Sequence, residues 1–354
     1  MPETCRVGIF GATGYTGIEL LRLVHSHPRL TLSLIASGES AGRRLGDVVP
    51  PTEGIAELGD RVLSSFDPEQ VPRFASQMDV AFTALPHTAS ANIGKALLEA
   101  GVRVVDLSAD FRLKDPHVYE KAYGPHPAPE LLSKAVYGLP ELYRSELKDA
   151  RLIAAPGCYP TSAILPLAPL LAKRLIAPES IIIDSKSGVS GAGRAMKRSS
   201  QFCEVAEGVR PYQVAGQHRH IPEIEQELSR QATRPVTVVF TPHLVPMSRG
   251  ILTVAYAKLA AETKVEELRR VALEMYAQGL VTVLEAGRVP DTLWVRGSAR
   301  AHVAYALDER AGMVLGMCAL DNLTRGAAAQ AVQALNAAMG WPDALGLPEM
   351  GLFP

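Results

Sequence analysis

The stretch RVGIFGATGYTG, Arg6 to Gly17, decides the fold. Arg6 to Phe10 reads as a buried strand, and Tyr15 to His25 reads as a helix. Between them Gly11, Gly14 and Gly17 stand at GxxGxxG spacing. A strand, a glycine-rich turn and a helix in that order open a βαβ unit. Glycines at such a turn let the backbone approach a pyrophosphate at the helix N-terminus. An ordinary tight βα turn shares the pattern, so the motif alone leaves both readings open.

Outward from this turn the alternation continues. Leu30 to Ala36 is a second strand, Val80 to Ala84 a third, Ser90 to Ala100 a helix and Val102 to Leu107 a further strand. Strands alternating with helices predict a parallel sheet, and this texture runs to about residue 150. From Ile181 the chain becomes β-rich, in runs beginning at Ile181, Val236, Ile251 and Arg300. Some of these alternate as a sheet with one covered face should. Val265 to Gln278 is the clearest helix there. The fold class expected is therefore α/β followed by α+β. Gly326 to Met339 is an Ala-rich helix too late for the second sheet, expected to pack on the first domain.

A length of 354 residues fits two domains. With 47% hydrophobic and 21% charged residues, the composition is that of a soluble globular protein. The net charge of -1 gives no basic field for nucleic acid or anionic membrane. Cys5, Cys158, Cys203 and Cys318 are scattered without a CxxC pair. That argues against a disulfide framework or zinc ribbon and for a reducing compartment. No basic segment followed by an apolar one opens the chain, so no signal peptide is expected. No apolar run reaches the ~18 residues of a membrane span. The expected address is the cytoplasm.

The end of the second strand bears on which nucleotide would bind. An NAD site calls for Asp or Glu there, to bind the ribose 2′-hydroxyl. Here Ser37 can donate to a 2′-phosphate, and Arg43 or Arg44 can pair with its charge. This favours NADP(H), with Glu39 as the opposing signal. Gly11, Thr13, Gly14, Tyr15, Thr16 and Gly17 are the candidate contacts in the turn itself.

A second informative stretch is APGCYPT, Ala155 to Thr161. It ends a strand-like run and precedes a helix expected over Ser162 to Leu175. Pro156 and Gly157 force a turn, and Pro160 suits a first helical position. Cys158 thus stands at a helix N-terminus, where unpaired N–H groups and the macrodipole favour a thiolate. A thiolate is a nucleophile. A buried structural cysteine is the alternative, which the turn and helix start disfavour.

The stretch QHRHIPEI places His218 and His220 two residues apart, in a loop before a helix. Histidine is the usual proton shuttle near neutral pH, and a thiolate nucleophile needs such a partner. Zinc binding is the rival for this pair, but no carboxylate or cysteine completes a ligand set, so no metal is expected. SGVSGAGR, Ser187 to Arg194, follows a strand and offers backbone N–H groups, hydroxyls and a guanidinium. Such a loop can cradle a phosphate or approach a nicotinamide; it can equally be a plain flexible loop. A nucleotide turn, a helix-start cysteine and a histidine together suggest redox chemistry on a thioester. Hydrolysis by a Cys/His pair would leave the nucleotide turn without use.

With GATGYTG, DLSADFR (Asp106 to Arg112), YGLPE (Tyr137 to Glu141), APGCYPT, SGVSGAGR, HRHIPEI, FTPHLVPMSRGI (Phe240 to Ile251) and DNLTRGAAAQAVQ (Asp321 to Gln333), the chain resembles the N-acetyl-γ-glutamyl-phosphate reductases. The wider relatives are aspartate-semialdehyde and glyceraldehyde-3-phosphate dehydrogenases. The resemblance implies an NADPH-dependent enzyme of arginine biosynthesis. In it Cys158 attacks an acyl phosphate and expels phosphate, and the thioester is reduced to N-acetylglutamate 5-semialdehyde. His218, rather than His220, would be the acid/base. Backbone N–H groups near Cys158 would stabilise the oxyanion. Ser187, Gly188 and Asn322 would lie near the nicotinamide, and Arg112 and Arg194 would hold a substrate carboxylate or phosphate. The implied architecture is a Rossmann-type NADP-binding domain, residues 1–155 plus 325–354, with a mixed-sheet catalytic and oligomerisation domain, residues 156–324. A homotetramer is implied as well. A relative acting on a carrier-bound aminoadipyl phosphate, in lysine synthesis, has similar motifs and stays open as an alternative substrate. Cys5 and Cys203 receive no role; Cys318 is read as core packing.

Overall fold

The computed structural model describes residues 4–354. By internal contacts they form two compact units. One holds the described residues up to Pro156 together with Ala327–Leu347; the other holds Gly157–Gly326 and Pro348–Pro354.

The first unit runs β1 (Cys5–Phe10), α1 (Tyr15–Ser26), β2 (Leu30–Ala36), α2 (Leu45–Val48), α3 (Val71–Ala75), β3 (Val80–Thr83), α4 (Ala89–Glu99), β4 (Arg103–Asp106), α5 (Pro116–Tyr123), β5 (Val136–Tyr137), α6 (Pro140–Leu147) and β6 (Leu152–Ala154). Its sheet has the order β2-β1-β3-β4-β6-β5, and every pairing is parallel. The short apolar strands suit this layout, because a parallel sheet is covered on both faces. Phe10, Met78, Ile93, Val104 and Phe111 belong to one buried core beside it. The chain leaves β1 outward to β2 and returns on the other side at β3. This reversal makes a crevice beyond the carboxyl end of β1, and the glycine turn emerges there.

The second unit runs α7 (Cys158–Ala172), β7 (Ile181–Ser187), α8 (Phe202–Val205), β8 (Arg210–Pro211), α9 (Ile221–Ala232), β9 (Val238–Leu244), β10 (Ile251–Lys258), α10 (Val265–Met275), β11 (Val281–Val283), α11 (Thr292–Val295), β12 (Ala301–Asp308) and β13 (Met313–Leu320). Beyond it, α12 (Ala329–Ala338) belongs to the first unit, where it packs on α1, α6 and β4. Gln330 of α12 donates from Nε2 to the Gly138 carbonyl at 2.8 Å.

The second sheet has the order β11-β12-β13-β10-β7-β9-β8. It is mixed: β7 pairs parallel with β9 and β11 with β12, and the rest are antiparallel. Helix α7 packs on β10, β12 and β13, and α9 and α10 pack on α7. Residues Tyr159 to Leu171 of α7 are all buried, as a helix apolar on every side must be.

The sequence predicts a helix from Ser162 to Leu175, whereas α7 spans Cys158–Ala172. Pro160 is its third residue, not its first. The N–H groups of the whole first turn lack intrahelical acceptors, so proline is tolerated there as well. The earlier start makes Cys158 the first residue of the helix itself.

Candidate active site

In the nucleotide turn of the first unit, Gly11 and Gly17 leave no room for a Cβ. Gly11 has φ +86°, and a Cβ on it would lie 2.3 Å from the Ala84 carbonyl oxygen. A Cβ on Gly17 would lie 2.1 Å from the Gly11 oxygen, so this glycine lets α1 start flush against the turn. Gly14 caps α1 without a side-chain hydrogen bond. The N–H groups of Tyr15, Thr16 and Gly17, in the first turn, point out of the helix start and suit an anion.

Just past β2, Ser37 is buried, with its Oγ 3.0 Å from Thr13 Oγ1. The structure thus joins these two candidates. The two arginines part company. Arg44 is surrounded by Asp60 at 2.7 Å, Asp47 at 3.3 Å and Glu53 at 3.6 Å, so its charge is already answered. Arg43 is exposed and makes no ion pair among the described residues.

In the second unit Cys158 is half-buried at the N-terminus of the fifteen-residue α7. Gly157 is the helix cap. Its carbonyl accepts from Thr161 twice, from the N–H at 2.9 Å and from Oγ1 at 3.0 Å. Its own N–H donates to Glu223 Oε1 at 2.9 Å. On another side stands Gly326, where a Cβ would lie 2.7 Å from the Cys158 Cβ. Gly326 lies in a π turn, Thr324–Ala328, and its N–H donates five residues back to the Asp321 carbonyl at 2.8 Å.

His218 is 8% exposed and enclosed by rings, with centroids at 5.5 Å for Tyr159, 5.2 Å for Phe240, 5.7 Å for Tyr212 and 4.9 Å for His220. Burial, with the Arg219 charge as the lesser cause, lowers its pKa to about 4. The imidazole is therefore neutral near pH 7. The His220 backbone N–H donates to His218 Nδ1 at 3.1 Å, which puts the ring proton on Nε2. His220 itself caps α9. A Tyr212 hydroxyl donates to the Tyr159 hydroxyl at 3.0 Å. Burial pushes Tyr159 far above the ordinary phenol value and Tyr212 up to about 12; the neighbouring Cys158 sulfur is a lesser contributor to each. Both phenols stay protonated and able to donate.

Ser187, Gly188 and Asn322 are also brought together. A Cβ on Gly188 would lie 2.9 Å from the Arg249 backbone nitrogen. Asn322 Oδ1 accepts from the Gly250 N–H at 2.8 Å, and its Nδ2 donates to Ser190 Oγ at 2.9 Å. Asp321, fully buried, takes Arg249 Nε at 2.9 Å and the Gly297 N–H at 2.7 Å. Arg194 lies exposed beyond this brace. Arg112 belongs to the first unit, is 6% exposed, and spends its Nε on the Ala155 carbonyl and its Nη2 on the Leu107 carbonyl, each at 2.8 Å. These two bonds tie the ends of β4 and β6 together. Among the described residues no three His, Cys, Asp or Glu side chains are grouped to hold a metal ion.

Sequence reasoning missed Tyr159, Tyr212, Glu223 and Gly326. Three of the four lie inside quoted motifs, and Tyr159 directly follows the cysteine. Their roles arise from contacts across 53 residues of chain for the tyrosine pair, 66 for Glu223 and more for Gly326 against Cys158, which no local pattern encodes.

Residues 6–150 match the family model described as semialdehyde dehydrogenase, NAD binding domain. Residues 158–322 match semialdehyde dehydrogenase, dimerisation domain. The chain is 52% identical over 349 residues to the N-acetyl-gamma-glutamyl-phosphate reductase of Geobacter metallireducens, covering 98% of this chain and 99% of that protein. The enzymes of the same name from Geotalea daltonii and Syntrophobacter fumaroxidans are each 48% identical, covering 99% and 97% of this chain and 99% and 98% of theirs. Aspartate semialdehyde dehydrogenase II of Vibrio cholerae, solved with ASA, superimposes with a TM-score of 0.71 at 19% identity, over 96% of this chain and 99% of that one. The Candida albicans aspartate semialdehyde dehydrogenase, solved with NADP, gives 0.70 at 18% identity, over 95% and 99%. Those two share the fold. Identity near one residue in two from end to end, in a chain with a cysteine at a helix start and a neutral histidine near it, is closer kinship: this chain belongs to the N-acetyl-gamma-glutamyl-phosphate reductase family.

Proposed function

We propose that the protein reduces N-acetyl-L-glutamyl 5-phosphate with NADPH to N-acetyl-L-glutamate 5-semialdehyde and phosphate, the third step of arginine biosynthesis. The observation that carries this reading is Cys158 as first residue of α7, grouped with neutral His218 and two protonated phenols. The helix start favours the thiolate at neutral pH. The thiolate attacks the acyl carbon, and the tetrahedral oxyanion expels phosphate to leave a thioester on Cys158. Negative charge on the former carbonyl oxygen is met by N–H donors. His218 supplies one from Nε2, since Nδ1 already accepts from His220. This favours His218 over His220 and makes it first a hydrogen-bond donor. The Tyr159 and Tyr212 rings keep it dry and therefore neutral.

The first unit fits the cofactor through its own residues. The Gly11–Gly17 turn with the start of α1 would hold the pyrophosphate, and Ser37 with Arg43 the 2′-phosphate. NADPH supplies, when bound, the hydride that reduces the acyl group. Collapse of the resulting thiohemiacetal oxyanion then releases aldehyde and restores the Cys158 thiolate. Ser187, Gly188 and Asn322 form the brace assigned to the nicotinamide side, and Arg194 is assigned to a substrate carboxylate or phosphate. The name carried by the half-identical relatives favours the N-acetylated small molecule over a carrier-bound aminoadipyl substrate. Partners are then the small molecule and phosphate, with a homotetramer in the cytoplasm. No helix among the described residues is long and apolar enough to cross a membrane.

The test follows NADP reduction by nicotinamide absorbance, with N-acetylglutamate semialdehyde and phosphate, and aspartate semialdehyde in parallel. Phosphate-dependent turnover of the acetylated substrate alone is expected; turnover of aspartate semialdehyde instead would overturn the substrate. Cys158→Ser should lose roughly a thousandfold in rate while still binding NADPH, and near-normal turnover in it would refute the covalent route.

A further inference from the structure

We propose that Glu223 is a positioning residue that joins the turn before the nucleophile to the loop carrying the histidine. This rests on the reading of Cys158 and His218 given above. Glu223 is 2% exposed, in the first turn of α9. A carboxylate so placed costs free energy unless its oxygens are bonded. Its Oε1 accepts from the Gly157 N–H at 2.9 Å, across 66 residues of chain. Gly157 is the cap of α7 and precedes Cys158, so this bond sets where the first turn of α7 begins. The same turn of α9 also fixes the histidine. The Ile221 N–H donates to the His218 carbonyl at 3.0 Å, and the Ile224 N–H to the His220 carbonyl at 3.0 Å. Helices α7 and α9 pack against each other. One rigid helical turn therefore holds both reacting residues: His218 through its backbone, and Cys158 through the carboxylate on Gly157. The bond to Gly157 needs an acceptor atom at that reach, whatever the charge of the group that carries it. Glutamine supplies such an atom, and aspartate withdraws it by one methylene while keeping the charge.

The experiment compares wild type, Glu223→Asp and Glu223→Gln by kcat, KM for NADP, and the rate of Cys158 alkylation by iodoacetamide near pH 7.5, read by mass spectrometry of its peptide. Expected in Glu223→Asp is a fall in kcat of about 100-fold at nearly constant KM, the usual cost of a small misplacement. Alkylation should slow about fivefold, as the helix-start N–H groups no longer face the sulfur. Glu223→Gln should restore kcat to within about tenfold of wild type and alkylate no more slowly than wild type. Two outcomes would overturn the proposal. One is a Glu223→Asp enzyme with wild-type kcat and alkylation and only a lower melting temperature, which marks a merely structural role. The other is a Glu223→Gln enzyme as impaired as Glu223→Asp or worse, which marks a role for the charge. Should wild type fail on the acetylated substrate, the functional reading falls, while the alkylation series still decides the positioning role.

Discussion

Cys158 is crowded on one side by a residue that has no side chain. A methyl group on Gly326 would stand 2.7 Å from the Cys158 Cβ, 3.2 Å from its Cα and 3.3 Å from a Leu320 methyl. Two of these three atoms belong to the nucleophile itself, so relief must come from moving it. Gly326→Ala is expected to lose about 100-fold in turnover, with the melting temperature lowered by only a few degrees. Wild-type turnover in that variant would mean that Cys158 has more slack than the packing implies. His218 gives a pH prediction. Its pKa is about 4 in the fold against an ordinary 6.5, so between these values the unfolded chain binds the extra proton. The stability it contributes is whole above pH ~6.5 and is lost as the pH falls toward ~4. Melting temperature should therefore decline over that window in wild type, and more gently in His218→Gln; parallel declines would place the titrating group elsewhere. At this scale the sequence shows Cys158, the histidine pair and the glycines, because turn chemistry and residue type are local. The partners of Arg44 and Arg112, Asp60 for the one and the carbonyls of Leu107 and Ala155 for the other, reach them only through the fold and are not legible in the sequence.

Helix α7 shows how an element can carry its own faults and have them repaired by another. Pro166 and Pro169 lie inside it, and each removes an N–H from the ladder. Pro169 leaves the Leu165 carbonyl, four residues back, without its helical donor. The Tyr276 hydroxyl, at the end of α10, donates to that oxygen at 2.6 Å in the core. Tyr276→Phe keeps the ring and removes the donor. It is expected to cost about 1–3 kcal/mol in denaturant unfolding, the penalty of a buried carbonyl left unpaired. An unchanged midpoint would show that the carbonyl finds another donor. The same helix explains a strand the sequence reading left out. In β13 Gly316 interrupts an apolar run, a place where a strand gains nothing from glycine. The glycine is there because a Cβ would stand 3.1 Å from Pro166. Most other strands and helices were legible to within a few residues, because apolar runs and 3.6-residue periodicity are local signals. The edges moved where a cap, a proline or a distant contact decided them.

On the scale of the molecule, α7 covers one face of the second sheet, and Trp294 of α11 packs on the other at Ala304 and Met317. On that other face the pairing register lines up Val239, Ile182, Tyr256, Leu315 and Ala306, one from each of five neighbouring strands. Val239 is 61% exposed and Ile182 46%. A continuous apolar row across five strands is costly to leave in water, and patches of this kind mark association surfaces. The span that matches a dimerisation-domain family model, residues 158–322, contains all five residues. A second copy of the chain is thus the expected cover, one contact in the proposed tetramer. Replacing both Ile182 and Val239 by lysine puts two charges where two apolar side chains would be buried against the partner, while each side chain already reaches solvent in the single chain. The double variant should therefore keep the wild-type circular dichroism spectrum and sediment as a smaller species than wild type at equal concentration. Wild-type mass in the double variant would mean that this face is not the contact. A smaller species that still turned over at full rate would show that each chain carries a complete site. A smaller and inactive species with an intact spectrum would make assembly a condition of catalysis, and the row across the sheet would then be part of how the reductase works.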